Sequence, residues 1–204
     1  DYTPVDGQLM DFSRLAGLGS EGVLLLFSDS TYAEIPGYTA SERDVGYTLD
    51  RIIAEAQGRV IIATFASLIS RIQNVVDAAA RQGKRAFFTG RSMRDNVDMA
   101  LKLGYLKAPP GVIGQLQELP RLPPEKVVIM TTGSQGEPTS ALVRMASQEH
   151  PQVSIVPGDT VVLSATPIPG NEHLVNRTLD NLFRLGARVL YDKIAPVHVH
   201  GHGS

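Results

Sequence analysis

The chain has 204 residues, of which 43% are hydrophobic, and its formal net charge is −2. The composition suffices for a sizeable core in one large domain, or in one domain plus a fragment, and the charge argues against nucleic-acid binding by bulk positive charge. The sequence has no cysteine, which excludes disulfides and thiolate metal sites, and no apolar run approaches ~18 residues, so no membrane span is predicted.

The first segment predicts one short helix, over residues 11–18, and one buried strand. The strand is predicted over 23–28 from the five consecutive apolar residues 23–27, and it ends in the polar run Ser28-Asp29-Ser30-Thr31. In α/β sheets, ligands gather at the carboxyl ends of strands. Asp29 is therefore predicted to present a carboxylate at a sheet edge.

From residue 41 onward, predicted helices and strands alternate. The strands are continuous Val/Ile/Leu runs, which is typical of a parallel sheet covered on both faces. We therefore predict an α/β fold with three layers, αβα, and a mostly parallel sheet. Ser41 and Ser67 are predicted to cap helices, and Pro138 to occupy a first helical turn. The Pro/Gly-rich stretch 107–124 is predicted to be a surface excursion. The predicted helices are 41–57, 67–82, 92–103, 138–148 and 171–185, and the predicted strands are 59–65, 85–89, 127–132, 160–165 and 188–192.

Small, hydroxyl-bearing or basic residues follow most of the predicted strands. Ser67, Arg91 and Ser134 each lie shortly after a predicted strand, and Ser164 lies at the end of one. Backbone amides at helix starts, with hydroxyl donors beside them, bind phosphate oxygens, and an arginine adds a bidentate donor. The alternative is that serine and threonine only cap helices here and glycine only forms turns.

Two further patterns have more than one interpretation. Residues 17–22 match Gly-x-Gly-x-x-Gly, but they precede a strand instead of following one, so they indicate a helix stop and a turn. His198, His200 and His202 alternate, so an extended segment would place them on one face. They could form a metal site or a solvated tail, or one of them could pair with a carboxylate and act as a general acid or phosphate donor.

The sequence resembles bacterial ribonuclease J, a β-CASP nuclease of the metallo-β-lactamase superfamily. The most specific matches are Thr131-Thr132-Gly133-Ser134-Gln135-Gly136-Glu137-Pro138 and the run 163–172, Leu-Ser-Ala-Thr-Pro-Ile-Pro-Gly-Asn-Glu. The resemblance implies a central fragment of such an enzyme, which agrees with an N-terminus that lacks Met. It divides the chain into a metallo-β-lactamase lobe segment (1–36), a β-CASP domain (37–186) and a return segment (187–204). The other matching segments are 3–7, 26–34, 36–39, 41–43, 63–67 and 90–93.

By the same resemblance, the parent protein is a cytoplasmic, metal-dependent ribonuclease. It would degrade RNA from a 5′-monophosphate end, would also cut internally, would hold two zinc-type metals and would form a homodimer or homotetramer. Asp29 falls on the acid of motif A and His202 on the histidine of motif B, and these are the predicted catalytic residues. The predicted RNA- or phosphate-binding residues are Arg91, Gly133, Ser134, Gln135, His198, Val199, His200, Gly201, His202 and Ser204.

The sequence departs from the family in two respects. His200 replaces a common serine or threonine, and the His-x-His-x-Asp-His metal motif is absent. We therefore expect this chain alone to hold no metal and to cleave no RNA. The alternatives are a stand-alone module that binds nucleotide or RNA backbone without catalysis, and an unrelated dinucleotide or sugar-phosphate enzyme on a similar sheet.

Overall fold

The computed structural model describes residues 4, 5 and 7–202, which form a five-stranded parallel sheet in the order β2-β3-β1-β4-β5. The predicted α/β architecture is confirmed, and within the described residues every strand pair of the sheet is parallel. The strands are β1 (Val60–Ala63), β2 (Arg85–Thr89), β3 (Val127–Thr131), β4 (Thr160–Leu163) and β5 (Arg188–Leu190), and the helices are α1 (Phe12–Glu21), α2 (Glu42–Glu55), α3 (Ile69–Arg81), α4 (Arg91–Leu103), α5 (Ala141–Ala146) and α6 (Glu172–Arg184).

Helices cover both faces of the sheet, which gives three layers. Alternate strand residues face opposite sides: Ile62 and Met130 pack in one core cluster with α2, α3 and α4, whereas Ile61 and Ile129 pack in the other with α5 and α6. Every residue of β1, β3 and β4 is buried. Burial on both faces explains why these strands are continuous apolar runs in the sequence.

Several predicted element boundaries need correction. Ser67 does not cap α3, because the chain turns at residues 65–68 and the helix begins after Leu68, which makes no side-chain capping bond. Pro138 does not open α5, because the Ser140 amide bonds the Glu137 carbonyl in an additional turn before the helix. The excursion 107–124 contains the 3₁₀ helix Leu116–Arg121 and touches the sheet edge through an isolated bridge from Ile113 to Ala86.

Residues 7–40, which we call the N-terminal arm, are mostly exposed. Helix α1 forms, with the Asp11 side chain accepting the Arg14 amide, but it buries no residue. The helix stop predicted at 17–22 is wrong in position, because α1 continues through Gly17 and Gly19 to Glu21 and ends only at Gly22. The predicted buried strand at 23–28 is wrong: Leu24 and Phe27 are 104% and 89% exposed, and no strand pairing involves this segment within the described residues. Within the part of the chain that the structure describes, this apolar segment has no neighbouring strand to share backbone hydrogen bonds and no layer to cover its faces. Asp29 therefore does not follow a strand of the sheet.

The helices of the described part of the chain are all too short or too polar to cross a membrane. The proposed division of the chain at residues 36 and 187 remains a prediction.

Candidate functional site

A cavity of about 770 Å³ lies where the N-terminal arm meets the carboxyl edge of the sheet and the end of the described chain. We call it the histidine cleft, because His198, His200 and His202 all line it. Residues 31, 32, 39 and 40 of the arm form a second wall, and the loop 166–169 that follows β4 forms a third. The remaining lining residues are 42, 65, 67, 68 and 70. The first and last segments of the chain therefore lie side by side at this site.

Asp29 and His202 are joined by a hydrogen bond of 2.7 Å from His202 Nδ1 to Asp29 Oδ2. A carboxylate only accepts, so the imidazole donates through Nδ1 and its Nε2 remains available. The Thr31 amide and hydroxyl both donate to Asp29 Oδ1, at 3.0 and 2.8 Å. These backbone and side-chain bonds, first that from the Thr31 amide and then that from His202, lower the pKa of Asp29 to about 2. Asp29 is thus a fixed carboxylate that orients His202.

The segment around His202 is also held by hydrogen bonds to the His202 carbonyl and by ring contacts. The His202 carbonyl accepts the Thr39 hydroxyl at 2.7 Å and His200 Nδ1–H at 2.8 Å. The ring of Tyr32 lies 4.3 Å from that of His200 and 5.8 Å from that of His202, measured between centroids. His200 therefore keeps its Nε2 free as well, and the arm supplies one wall of the cleft.

His198 accepts a hydrogen bond from Arg71, whose side chain is completely buried. Arg71 Nη1 donates to His198 Nδ1 at 2.8 Å and to the Ser164 carbonyl at 2.9 Å. A guanidinium only donates, so the neutral His198 carries its proton on Nε2. Burial, and then the charge of Arg71, lower the pKa of His198 to about 4. His198 is consequently a neutral N–H donor on the wall of the cleft.

The buried Arg71 charge is balanced by Glu42 at the start of α2. Two hydrogen bonds of 2.8 and 2.5 Å join the guanidinium to the two carboxylate oxygens. Ser164, at the end of β4, also receives Arg71 Nη1 at its hydroxyl, and that hydroxyl donates to the Val197 carbonyl at 2.6 Å. This network ties α2, α3, β4 and the segment 197–199 together.

Arg71 is not among the site residues predicted from the sequence, although the position of Arg71 in the sequence indicates that it is buried and paired. Arg71 lies three residues after Leu68 and four before Val75, on the stripe of α3 that faces the core. A charged residue on an apolar stripe must be paired when it is buried, so its position indicates an internal ion pair. The partners Glu42 and Ser164 carry no such signal.

The loop that follows β3, residues 132–136, supports one wall of the histidine cleft. Gly133 and Gly136 have φ of 105° and 73°, and a Cβ on Gly133 would lie 2.3 Å from Ser140 Oγ. Gln135 is buried, donates to the Thr166 carbonyl at 3.0 Å and accepts the Ile168 amide at 2.8 Å. Gln135 thereby fixes the loop 166–169 that lines the histidine cleft. Ser134 is buried beside it.

Comparison with known proteins identifies the family of the chain. The family model "Ribonuclease J, beta-CASP domain" matches residues 57–182. The chain belongs to the ribonuclease J β-CASP family. It is 49% identical over 204 residues to Ribonuclease J of Thermus thermophilus and 45% identical over 204 residues to Ribonuclease J2 of Bacillus subtilis, and both alignments cover 100% of this chain. It covers 35% and 37% of those proteins, so it spans about a third of the length of the curated relatives it matches.

In this β-CASP chain, Arg91 lies outside the histidine cleft that holds the predicted phosphate-binding residues 198–202. It lines a second cavity of about 690 Å³ at the ends of β2 and β3, which we call the arginine cleft after Arg91, Arg94 and Arg144. Val199 and Gly201 lie in the histidine cleft with the three histidines. Ser204, which was also predicted, lies outside the described residues.

The described residues of this ribonuclease J homologue do not fit a metal centre. Among residues 4, 5 and 7–202, no group of three or more His, Asp or Glu side chains is placed to hold a metal ion. Asp29 is already engaged by His202 and Thr31. The described residues therefore offer no ligand set for the two metals that the resemblance implies.

Proposed function

We propose that this chain is the β-CASP part of a ribonuclease about three times its length, in which it binds RNA phosphates and supplies His202 as a general acid or base. The observation that carries the proposal is the Asp29–His202 hydrogen bond of 2.7 Å at a cleft lined by three histidines. Family membership supports the same function, since the relatives are named Ribonuclease J.

The chemistry of the cleft follows from its protonation states. Asp29 holds the proton of His202 on Nδ1, so Nε2 accepts a proton when His202 is neutral and donates one when it is charged. His198 offers a permanent Nε2–H to a phosphate oxygen, because Arg71 occupies its other nitrogen. We assign His202 to proton transfer at the scissile phosphate, Asp29 to its orientation, and His198 and His200 to phosphate binding.

The proposal includes the finer properties implied by the resemblance. The substrate is RNA with a 5′-monophosphate, attacked from that end and also internally, in rRNA processing and RNA decay. The two zinc-type metals are held by residues outside this chain, and the protein acts in the cytoplasm as a homodimer or homotetramer. The chain alone then cleaves no RNA.

The test uses the full-length ribonuclease, 5′-monophosphorylated RNA and paired variants. We expect His202→Gln to lower the cleavage rate by about 10²–10⁴-fold, the range of general acid–base catalysis, and Asp29→Asn to lower it less, because the imidazole remains but loses its orientation. Exposed residues of α6 provide the controls His173→Gln and Asp180→Asn, which should cleave like the wild type.

Two results would overturn the proposal. One is a wild-type cleavage rate in both His202→Gln and Asp29→Asn. The other is robust cleavage by the purified 204-residue chain, supplied with divalent metal and abolished by His202→Gln, which would show that the chain is a complete enzyme.

A second candidate function is phosphate binding without catalysis. The arginine cleft favours it, because its guanidinium groups require no metal to bind phosphate. Binding of short single-stranded RNA by the 204-residue chain, together with unchanged cleavage in His202→Gln of the full-length protein, would favour this candidate over the first.

A further inference from the structure

The arginine cleft concentrates positive charge on a chain whose net charge is negative. Arg91 and Arg94 come from the first turn of α4, and Arg144 from α5, while Glu137 also lines the cavity on an exposed loop. The formal charge of these four side chains is +2 (three arginines less one glutamate), against −2 for the whole chain. The cleft is therefore locally positive, which attracts anions.

The arginines of this cleft have no acidic partner among the described residues. Within the described residues, neither Arg91 nor Arg94 makes an ion pair, and the side-chain hydrogen bond of Arg144 goes to the Glu149 carbonyl at 3.1 Å. Four other arginines do have an acidic partner: Arg59 pairs with Asp159, Arg71 with Glu42, Arg81 with Asp50 and Arg85 with Glu118. The guanidinium groups of the cleft thus keep their donors available.

Backbone geometry adds further donors at the same place. Helix α4 has 13 residues and begins after Gly90, which has φ of 91° and no side chain with which to cap the first amides. A Cβ on Gly90 would lie 2.5 Å from Thr132 Oγ1, so a capping residue cannot replace it without a rearrangement. Ser140 Oγ, on the wall of the cleft, is buried and has no hydrogen-bond partner among the described residues.

His150 contributes no charge to the cleft. Its Nδ1 accepts the Val153 amide at 3.1 Å, so its proton lies on Nε2, which is 3.0 Å from Thr89 Oγ1. Burial, and then the charge of Arg144, lower the pKa of His150. The positive charge of the cleft therefore comes from arginine and does not depend on pH near neutrality.

We propose that the arginine cleft binds a phosphodiester of single-stranded RNA, as a second phosphate subsite beside the histidine cleft. The two clefts open at the same sheet edge, one after β2 and β3 and the other beside β1 and β4, in a sheet ordered β2-β3-β1-β4. At ~4.8 Å per strand, the midpoints of these strand pairs are roughly 10 Å apart. A short RNA can reach both. This inference rests on the proposed function, since it assigns a further contact to the same substrate.

The test measures binding of a fluorescent, 5′-monophosphorylated decauridylate and of uridine monophosphate to the 204-residue chain between 50 and 300 mM salt. We expect Arg91→Gln/Arg94→Gln to bind the decamer about 3- to 10-fold more weakly, with the salt slope reduced by about 0.7 for each phosphate that no longer has an arginine partner. Affinity for the mononucleotide should not change. The control is Arg51→Gln/Arg184→Gln, which removes the same charge from exposed helix positions outside both clefts.

The possible results separate the alternatives. A decamer affinity in Arg91→Gln/Arg94→Gln equal to that of the control would overturn the subsite, and so would the absence of decamer binding by the wild type. An equal loss of affinity for the mononucleotide and the decamer would also overturn it, by showing that the cleft takes free nucleotide. Failure of the proposed function is distinct, because it is measured by cleavage in Asp29→Asn and His202→Gln, whose residues lie outside the arginine cleft.

Discussion

Residues 23–27 and strand β3 have similar sequences and opposite environments. Val-Leu-Leu-Leu-Phe at 23–27 is exposed throughout, with Leu24 at 104%, whereas Val-Val-Ile-Met at 127–130 is at most 1% exposed. Strand β3 has β1 and β2 as neighbours and a helix layer on each face. An apolar run specifies that a segment must be covered, but the partners that cover it are specified by the rest of the fold.

The largest expected difference in stability between a buried and an exposed position is that between two arginines of helix α3. Arg71 of α3 has no exposed side-chain surface, whereas the Arg81 side chain is 57% exposed. Arg71→Met should lower the free energy of unfolding by about 3–5 kcal/mol, because it leaves the Glu42 carboxylate unpaired in a mostly buried position. Arg81→Met, which breaks an exposed ion pair with Asp50, should cost at most about 1 kcal/mol. Urea denaturation measures both.

A double variant separates the ion pair from side-chain packing. Arg71→Met/Glu42→Gln removes both charges and should recover part of the stability lost in Arg71→Met. If Arg71→Met were no more destabilising than Arg81→Met, the buried network around Ser164 and His198 would not contribute to stability in solution.

The next effect compares two leucines, one from each region. Leu163 of β4 is 1% exposed, and Leu24 lies in the uncovered run. Leu163→Ala should cost about 2–5 kcal/mol, because it removes buried methyl groups and leaves a cavity. Leu24→Ala should change stability by less than about 0.5 kcal/mol. A loss above about 1 kcal/mol in Leu24→Ala would show that the arm is covered in solution and would contradict the comparison.

Most of the sheet could be predicted from the sequence because its signals are local. Continuous apolar runs mark β1, β3 and β4, and Ser41 caps α2 as predicted. The apolar run at 23–27 is an equally local signal, but the strand predicted at 23–28 is wrong. Burial of such a run depends on partners from elsewhere in the fold, and none covers it among the described residues. The predicted start of α5 is also wrong, since a turn at residues 137–140 separates Pro138 from the helix.

The candidate site also has one part that could be predicted from the sequence and one part that could not. The resemblance predicts that Asp29 and His202 pair, and the structure brings the two side chains together across 173 positions of sequence. Arg91 is predicted to bind phosphate with these residues, but strand order places it in a different cleft. Strand order is a property of long-range pairing, which no local pattern of residues specifies.

The smallest expected effect is a pH dependence of the free energy of unfolding, which arises at His198 in the histidine cleft. His198 has a pKa of about 4 in the folded chain, against 6.5 for an ordinary histidine, because of burial and the charge of Arg71. The unfolded state therefore binds its proton first, so the stability that His198 contributes is complete above pH 6.5 and is lost as the pH falls towards 4. Asp29, with a pKa of about 2, stays ionised throughout this range.

Replacing His198 should remove that dependence. We expect the urea midpoint of His198→Gln to fall less between pH 7 and pH 4.5 than that of the wild type, while the exposed His173→Gln should follow the wild-type curve. His150, whose pKa is also lowered, accounts for a residual fall in both variants. Parallel curves for wild type and His198→Gln would mean that His198 is not held neutral by Arg71. The segment 197–199 would then belong with the exposed arm and not with the covered core.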